Sequence, residues 1–481
     1  MKTYKPTIGL EIHAELATRT KMFCDSPNDP FNSKPNDNVC PVCMGHPGTL
    51  PVINKKAVMH VLRVGIALGS EIADFSEFDR KNYFYPDIPK GYQISQYEHP
   101  LVSGGELARV KITRVHLEED TASSNHDDGD YSLIDFNRAG VPLMELVTEP
   151  VIHSAEQAGN FGRELQLLLR TLGVSEANME KGEMRVEANI SVASTEQTTM
   201  KEFGAKVEVK NLNSFKSVEK AVAYEILRQT ALLESGEKIE QETRGWDDAK
   251  GKTVSQRKKE DSHDYRYFPD PDLPKLKISE IPEFSSVNLK KTMPELPWEK
   301  RKRYQKLGLK PTDVHIYVSI PEVGAFFESV TALMSKKESI LLSSNYISSD
   351  ILGLIKKKFG EGKESEISKL SFVPKEFAKL ILLIEKKIIS SRAAKDILTV
   401  MFESGGDPEI IAREKDLIQK SDTDTIEKIA EEVINENQKV AEDYKRGKQA
   451  SLQFLIGQGM KKSKGSANPE VLKTTIISLL S

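Results

Sequence analysis

From Ile8 to Leu16 the chain alternates apolar and charged positions. At the two-residue period of a strand, Ile8, Leu10, Ile12, Ala14 and Leu16 fall on one face, and Glu11, His13 and Glu15 on the other. An apolar face packs a strand into a core, whereas two carboxylates around an imidazole can hold a cation. The stretch Lys111 to Asp120 repeats the alternation and ends in the carboxylates Glu118, Glu119 and Asp120. Further on, Arg185, Glu187, Asn189 and Ser191 oppose Val186, Ala188, Ile190 and Val192, and Lys206, Glu208 and Lys210 oppose Val207 and Val209. Strands that are apolar behind and charged in front predict an antiparallel sheet with one open face. A solvated surface accounts for any one of them. Four together, mixing carboxylates with Lys and Arg, point to an ionic active site.

Helical spacing takes over between these strands. It predicts a helix over 54–69, a second over 154–172 with Ser154 as N-cap and Gly173 as C-cap, and a third over 218–235. Residues 125–130 read as an acidic hairpin tip. Strand character follows over 131–147, with Asp135, Arg138 and Glu145, while 241–259 is polar without a clear period. From Pro294 onward strand alternation fades and helical periods run to about Phe402, interrupted at 360–362. Gly405-Gly406-Asp407-Pro408 reads as a linker, and three helices make up the tail. The expected layout is α+β: a sheet domain over 1–293, a helical domain over 294–404 and a small helical tail domain over 409–481.

With 481 residues, 38% hydrophobic and 29% charged, the chain describes a soluble globular protein of about three domains. Its net charge of −4 gives no global pull toward nucleic acid, so any such contact needs a local patch. The tail supplies one: acids dominate 422–443, whereas 445–469 carries Lys445, Arg446, Lys448, Lys461, Lys462 and Lys464 and no acid. No apolar run reaches the length that spans a bilayer, and no signal-peptide core precedes the first strand. Three Cys, an odd number in a long chain, argue against a disulfide framework and fit a reducing cytoplasm.

Those thiols have their own pattern. Cys40 and Cys43 form a CxxC turn with Cys24 upstream, the spacing of a zinc knuckle, with His46 or Asp25 left to complete the site. The loops 79–96 and 264–274 crowd aromatics with Arg, Lys and Asp, a composition that suits phosphates or the unstacked bases of an RNA end. No phosphate loop of the GxxxxGK[ST] type, no GxGxxG after a strand and no HExxH occurs. Any ATP chemistry must therefore come from the open charged sheet.

Several stretches together carry a specific resemblance. Ile8-Gly9-Leu10-Glu11-Ile12-His13, Asp79-Arg80-Lys81-Asn82-Tyr83-Phe84-Tyr85-Pro86-Asp87, Tyr92-Gln93-Ile94-Ser95-Gln96, His116-Leu117-Glu118-Glu119-Asp120, Lys210-Asn211-Leu212-Asn213-Ser214-Phe215 and Asp264-Tyr265-Arg266-Tyr267-Phe268-Pro269 resemble, in collinear order, the B subunit family of aspartyl/glutamyl-tRNA amidotransferases. The tail run 461–469 resembles that family's C-terminal helical module. The resemblance implies a glutamine-synthetase-like catalytic sheet domain, a helical domain and a tail that grips tRNA. It implies partners as well: an amidase (A) subunit and a small C subunit in a heterotrimer, with misacylated tRNA as substrate and ammonia drawn from glutamine. The expected chemistry is ATP-dependent phosphorylation of the Asp or Glu side-chain carboxylate on the tRNA, then displacement of phosphate by ammonia.

On that reading the Mg²⁺ ligands are Glu11, His13 and Glu119, with Glu208 added by its strand position. His is unusual for Mg²⁺, and the residues alone leave Mn²⁺ or Zn²⁺ open. Lys81 and Glu119 are the expected catalytic residues, Arg80, Lys81 and Lys206 hold ATP, and Lys461, Lys462 and Lys464 hold tRNA. Glu187 stands where relatives carry Asp. Zinc-bearing relatives have a second Cys where this chain has Ser26, which leaves Cys24, Cys40 and Cys43 one thiolate short. Two rival readings are a non-catalytic tRNA-binding scaffold, which has no need of clustered metal ligands, and a stand-alone ligase that consumes free ammonia.

Overall fold

A computed structural model describes residues 3–125, 130–194, 203–258, 265–419, 423–463 and 467–481. The chain separates into two compact units, Met1–Pro297 and Trp298–Ser481.

The first unit is organised around its opening strand, Tyr4–Glu15, which lies between the strands Pro142–Thr148 and Met184–Ser194 and pairs antiparallel with both. Val110–Glu119 pairs with the far side of Pro142–Thr148, and Val207–Leu212 with the far side of Met184–Ser194. The apolar half of the alternation is buried as expected. Ile8, Leu10 and Ile12 are at most 1% exposed, and each fully buried side chain of this size stabilises the fold by about 1.5–3 kcal/mol. The helix Lys55–Ala67 packs on Val110–Glu119, and Phe215–Glu234 packs on Met184–Ser194 and against Ala155–Thr171. Their starts follow from local capping: the side chains of Asn54, Ser154 and Ser214 accept backbone N–H groups of the first turn.

Two features depart from the sequence expectation. The polar stretch after residue 241 forms a hairpin, Glu242–Asp247 with Lys252–Lys258, in which Trp246 and Thr253 are buried. The sheet is also not purely antiparallel, because Val207–Leu212 pairs parallel with Glu242–Asp247. A parallel pair needs a long crossover, and the 20-residue helix Phe215–Glu234 supplies it. Of the acidic hairpin tip, 126–129 lie outside the described residues. The flanking strands Ser123–Asn125 and Leu133–Asp135 pair antiparallel.

The second unit is helical. Pro311, Pro321, Pro374 and Pro408 each open a helix at a first-turn position, where the missing N–H has no intrahelical acceptor to lose. Its aromatic centre stacks Tyr317 on Phe327, with Tyr304 edge-on to both. The expected linker does bend, with positive φ at Gly405 and Gly406. The helix that follows, Pro408–Glu414, nonetheless packs back on Pro374–Glu385 and Ser391–Ser404. The tail core starts later, at Ile426, and is built by four helices, Thr423–Glu436, Gln438–Lys445, Gln449–Lys462 and Pro469–Leu480, around Val433, Leu455 and Leu472. Among the described residues no helix is long and apolar enough to cross a membrane.

Candidate active site

Strand register decides which charged side chains meet. His13 lies opposite Glu145 on one side and Arg185 on the other, and Glu145 lies opposite His116. Glu11 faces Glu187, and Glu118 faces Leu143, which in turn faces Glu15. Residues directly opposite one another share a face of the sheet, so Glu11, His13, Glu15, His116, Glu118, Glu145, Arg185 and Glu187 all belong to the charged one, whose centre is covered rather than open as expected: Glu15, His116, Glu118 and Glu145 are buried.

At its centre the His13 imidazole Nε2 is 3.4 Å from Glu145, 3.5 Å from Glu118 and 3.8 Å from Glu11. His116 Nε2 is 3.4 Å from the same Glu145 oxygen, and the Arg114 guanidinium is 3.5 Å from its partner oxygen. Ligand atoms of Glu11, His13 and Glu145, and of His116, Glu118 and Glu145, converge as two overlapping groups with the geometry to hold a metal ion. Burial, then the Glu145 charge, push the Glu11 carboxyl up to about 7. Burial opposes charge on His13, but hydrogen bonding to Glu145 and the charges of Glu118, Glu145 and Glu11 outweigh it and raise the imidazole to about 9. Glu145 is also desolvated, yet the two imidazoles hold its carboxyl well below the usual range. These groups compensate one another's charge in a partly desolvated pocket, so a cation held there takes the place of the proton on His13.

Lys81 lies within the field of this cluster. Its ammonium is 4.9 Å from the Tyr265 ring centre and 5.9 Å from that of Tyr83. Burial works against its charge, and Glu118, the nearby tyrosines and Glu145 outweigh burial and raise its pKa. Of the cations expected at the site, Lys81 is the one that shares the field of these carboxylates.

Three expectations are corrected by the geometry. Glu119 is not in the cluster: it pairs with Pro142, one step out of phase with His116 and Glu118, and so points to the opposite face. There it is ion-paired with Lys90, accepts the Ile94 backbone N–H at 2.9 Å and lines a cleft with Cys24, Cys43 and Tyr92. Glu208 is engaged by Thr243 at 2.8 Å and Lys210 at 3.5 Å, which keep its carboxyl below the usual range against the opposing effect of burial, and it is not part of the convergent groups. Arg80 turns away from the cluster to Asp270 (2.8 Å) and Asp272 (2.9 Å), with Tyr92 stacked at 4.3 Å, and so braces the hairpin that carries Lys81. Lys206 is exposed just before its strand. Reading by position alone missed Glu118, Glu145 and His116. The signal was there: Val115 and Leu117 are apolar, so parity puts His116 and Glu118 on the charged face and Glu119 behind it.

The three thiols do converge. The sulfurs of Cys24, Cys40 and Cys43 form a third group with metal-holding geometry. Neither His46 nor Asp25 belongs to it. Instead Ser26 Oγ lies 4.0 Å and Lys21 Nζ 3.8 Å from Cys43 Sγ, and the Cys40 backbone N–H donates to that sulfur at 3.1 Å. Lys21 is fully buried and also donates to the Phe136 carbonyl at 3.1 Å. A hydrogen bond from Cys24, the Cys40 amide and the Lys21 charge outweigh burial and lower the Cys43 thiol to about 4, the thiolate character that a soft metal ion selects.

In the tail, Lys461 is exposed, and Lys462 is already paired with Glu432 (2.8 Å) and Glu436 (2.5 Å). Lys464 lies outside the described residues.

A sheet with acids and imidazoles clustered on one face, followed by a helical unit, defines a class, and sequence comparison places the chain in it. Residues 6–282 match the family model of the GatB/GatE catalytic domain, and 325–480 match that of the GatB domain. The chain is 42% identical to the B subunit of the aspartyl/glutamyl-tRNA(Asn/Gln) amidotransferase of Carboxydothermus hydrogenoformans, over 98% of each chain. It is 45% identical to the protein of the same name from Thermodesulfovibrio yellowstonii, over 99% of each. The chain belongs to the family of GatB subunits of the tRNA-dependent amidotransferases.

Proposed function

We propose that this chain uses ATP to activate the side-chain carboxylate of Glu or Asp borne by a misacylated tRNA, and then converts it to the amide. The observation that carries the reading is the convergence of Glu11, His13, Glu118, Glu145 and His116, with Lys81 in the field of their carboxylates. A carboxylate is a poor electrophile because loss of oxide is prohibitive. Its oxygen therefore attacks the γ-phosphorus of ATP and ADP leaves. Ammonia then attacks the acyl carbon, phosphate departs, and one proton is lost from nitrogen as the amide forms.

The donor set fits a divalent cation such as Mg²⁺: three carboxylates supply hard oxygen ligands, and His13 or His116 adds nitrogen. Bound there, such an ion supplies charge neutralisation at the phosphate oxygens and a template for in-line transfer. Lys81 holds the negative charge that accumulates on the transferring phosphoryl group, and the tyrosines around it limit competing water. Arg80, tied to Asp270 and Asp272, fixes the strand Asp79–Asn82 so that Lys81 keeps its place. The supply of ammonia is assigned to an amidase subunit, with a small third subunit in the complex. The tail, with Lys461 exposed, is assigned to the tRNA backbone. The three thiols are assigned to a structural zinc ion.

A scaffold that only bound tRNA would gain nothing from burying these carboxylates and imidazoles together, at a desolvation cost of several kcal/mol per ion. The test is ATP-dependent formation of Gln-tRNA from Glu-tRNA(Gln), and of Asn-tRNA from Asp-tRNA(Asn), by the assembled complex carrying Glu11→Ala. Loss of amide formation with partial retention of glutamine hydrolysis supports the reading; undiminished amide formation refutes the site.

A further inference from the structure

The loop between the strands Asp79–Asn82 and Tyr92–Ser95 holds two rings out in water: Phe84 is 88% exposed and Tyr85 is 64% exposed. Neither is on a slack segment. The Asn82 side chain donates to the Tyr265 and Arg266 carbonyls at 3.2 and 2.8 Å, and the Ala122 N–H reaches the Asp87 carbonyl at 2.9 Å, two residues past Asp120. The backbone closes on itself through Ile88 N–H to Tyr85 O and Gly91 N–H to Ile88 O. Gly91 adopts φ +72°, and a Cβ there would lie 3.2 Å from the Phe84 ring, so the missing side chain is what lets that ring rest over the backbone. Folding thus fixes an aromatic surface at the rim of the site and leaves it uncovered. Tyr83, whose own hydroxyl is raised by burial and by the charge of Glu118, joins this rim to the cluster, and its ring centre is 6.3 Å from that of Tyr85.

We infer that Phe84, flanked by Tyr85, is the stacking platform for the 3′-terminal adenosine of the aminoacyl-tRNA. The inference rests on the function proposed above and names the part of the substrate that this loop holds. A carboxylate presented to Glu11, His13 and Glu145 is joined through its own side chain and ester to the ribose of that terminal nucleotide. The base must therefore lie within the reach of one amino-acid side chain, an ester and a ribose from the cluster, and Tyr83 ties this loop to it. A ring open on one side suits a base at the end of a polymer that is held elsewhere along its length, because stacking asks for nothing but a free π-face. Lys81 on the same hairpin gives the approach positive charge.

The experiment uses the assembled complex with Phe84→Ala, Phe84→Leu and Phe84→Trp. Binding is measured to uncharged tRNA(Gln), both intact and lacking its 3′-terminal adenosine. Phe84→Ala and Phe84→Leu should weaken binding of intact tRNA by about tenfold, the usual worth of one base stacked on an aromatic ring, while Phe84→Trp retains it. The shortened tRNA should bind wild type and all variants alike, KM for ATP should not move, and the melting temperature should stay put because the ring is solvent-exposed. Equal affinity of wild type and Phe84→Ala for intact tRNA overturns the inference. So does an equal loss with both tRNAs, or a rise in KM for ATP in place of the tRNA effect. Binding to the two tRNAs is read without catalysis, so failure here is distinct from failure of wild-type amide formation, which would sink the proposed function.

Discussion

Two sets of side chains in the first unit converge with the geometry to hold a metal ion, and they are assembled in opposite ways. The thiols of Cys24, Cys40 and Cys43 are brought together by a loop of twenty residues, with the CxxC turn doing most of the work. The ionic cluster draws Glu11 and His13, then His116 and Glu118, then Glu145 from three strands, and only register unites them. The first kind of site is local, soft and separable from the sheet. The second is as precise as the sheet itself, and a slip of one residue would turn every ligand to the wrong face.

The largest expected effect tests that separation in the assembled complex. Replacing Glu145 by Ala leaves two imidazoles without their shared partner, removes the one residue common to both convergent groups, and should lower ATP-dependent amide formation on the order of a thousandfold. Cys43→Ser should leave amide formation within a few-fold of wild type once the protein is folded. Equal loss in both variants would join the two groups into one functional unit and end the comparison.

Stability should separate them in the reverse direction. A strong chelator, or Cys43→Ser, should lower the melting temperature of the zinc-loaded protein by roughly 5–10 °C, because binding energy at a structural site is folding energy. Glu145→Ala should leave any chelator effect intact. A melting curve indifferent to chelation would mean that the thiols fold without a metal.

A third contrast probes register directly. Glu118→Gln should raise the Mg²⁺ concentration needed for half-maximal amide formation by about tenfold, since one ionic oxygen ligand is lost. Glu119→Gln should leave that requirement unchanged, whatever it does to turnover through its pairing with Lys90. A matching shift in both variants would mean that the strand is read with the wrong parity.

These same contrasts mark how far the residues could be read without coordinates. The cysteine turn was legible because its ligands are close in sequence, and the helices because Asn54, Ser154 and Ser214 cap them in place. The charged face of each strand was legible from alternation alone. Which members of that face meet was not, because it depends on how far each strand slides against the next. Glu145 was noticed but not assigned, and adjacent Glu118 and Glu119 were distinguished only by a parity that Val115 and Leu117 already carried. Arg80 and Lys81 likewise sit side by side on one strand and point to opposite faces: one braces the hairpin on Asp270, the other faces the carboxylates. The hairpin after residue 241 escaped because its buried face is mostly short or polar, with Glu242 and Thr253 inside.

The smallest expected effect separates the two regions by acid. His60, on the helix that follows the cysteine loop, is 1% exposed; its Nε2 meets the Ala17 carbonyl at 3.3 Å and its Nδ1 has no partner. Burial, with Lys56 nearby, lowers this imidazole to about 4. The unfolded chain binds a proton near 6.5 that the fold refuses, so stability from this group is whole above that pH and falls as pH drops toward 4. The full loss is at most about 3 kcal/mol. His60→Leu keeps the volume, gives up one hydrogen bond and removes the titration. Denaturant unfolding should therefore show wild type losing stability relative to His60→Leu between pH 6.5 and 4, with the difference flat above about pH 7. Parallel profiles would place a charged, solvated histidine there, and the acid sensitivity of the first unit would then belong to its ionic cluster instead.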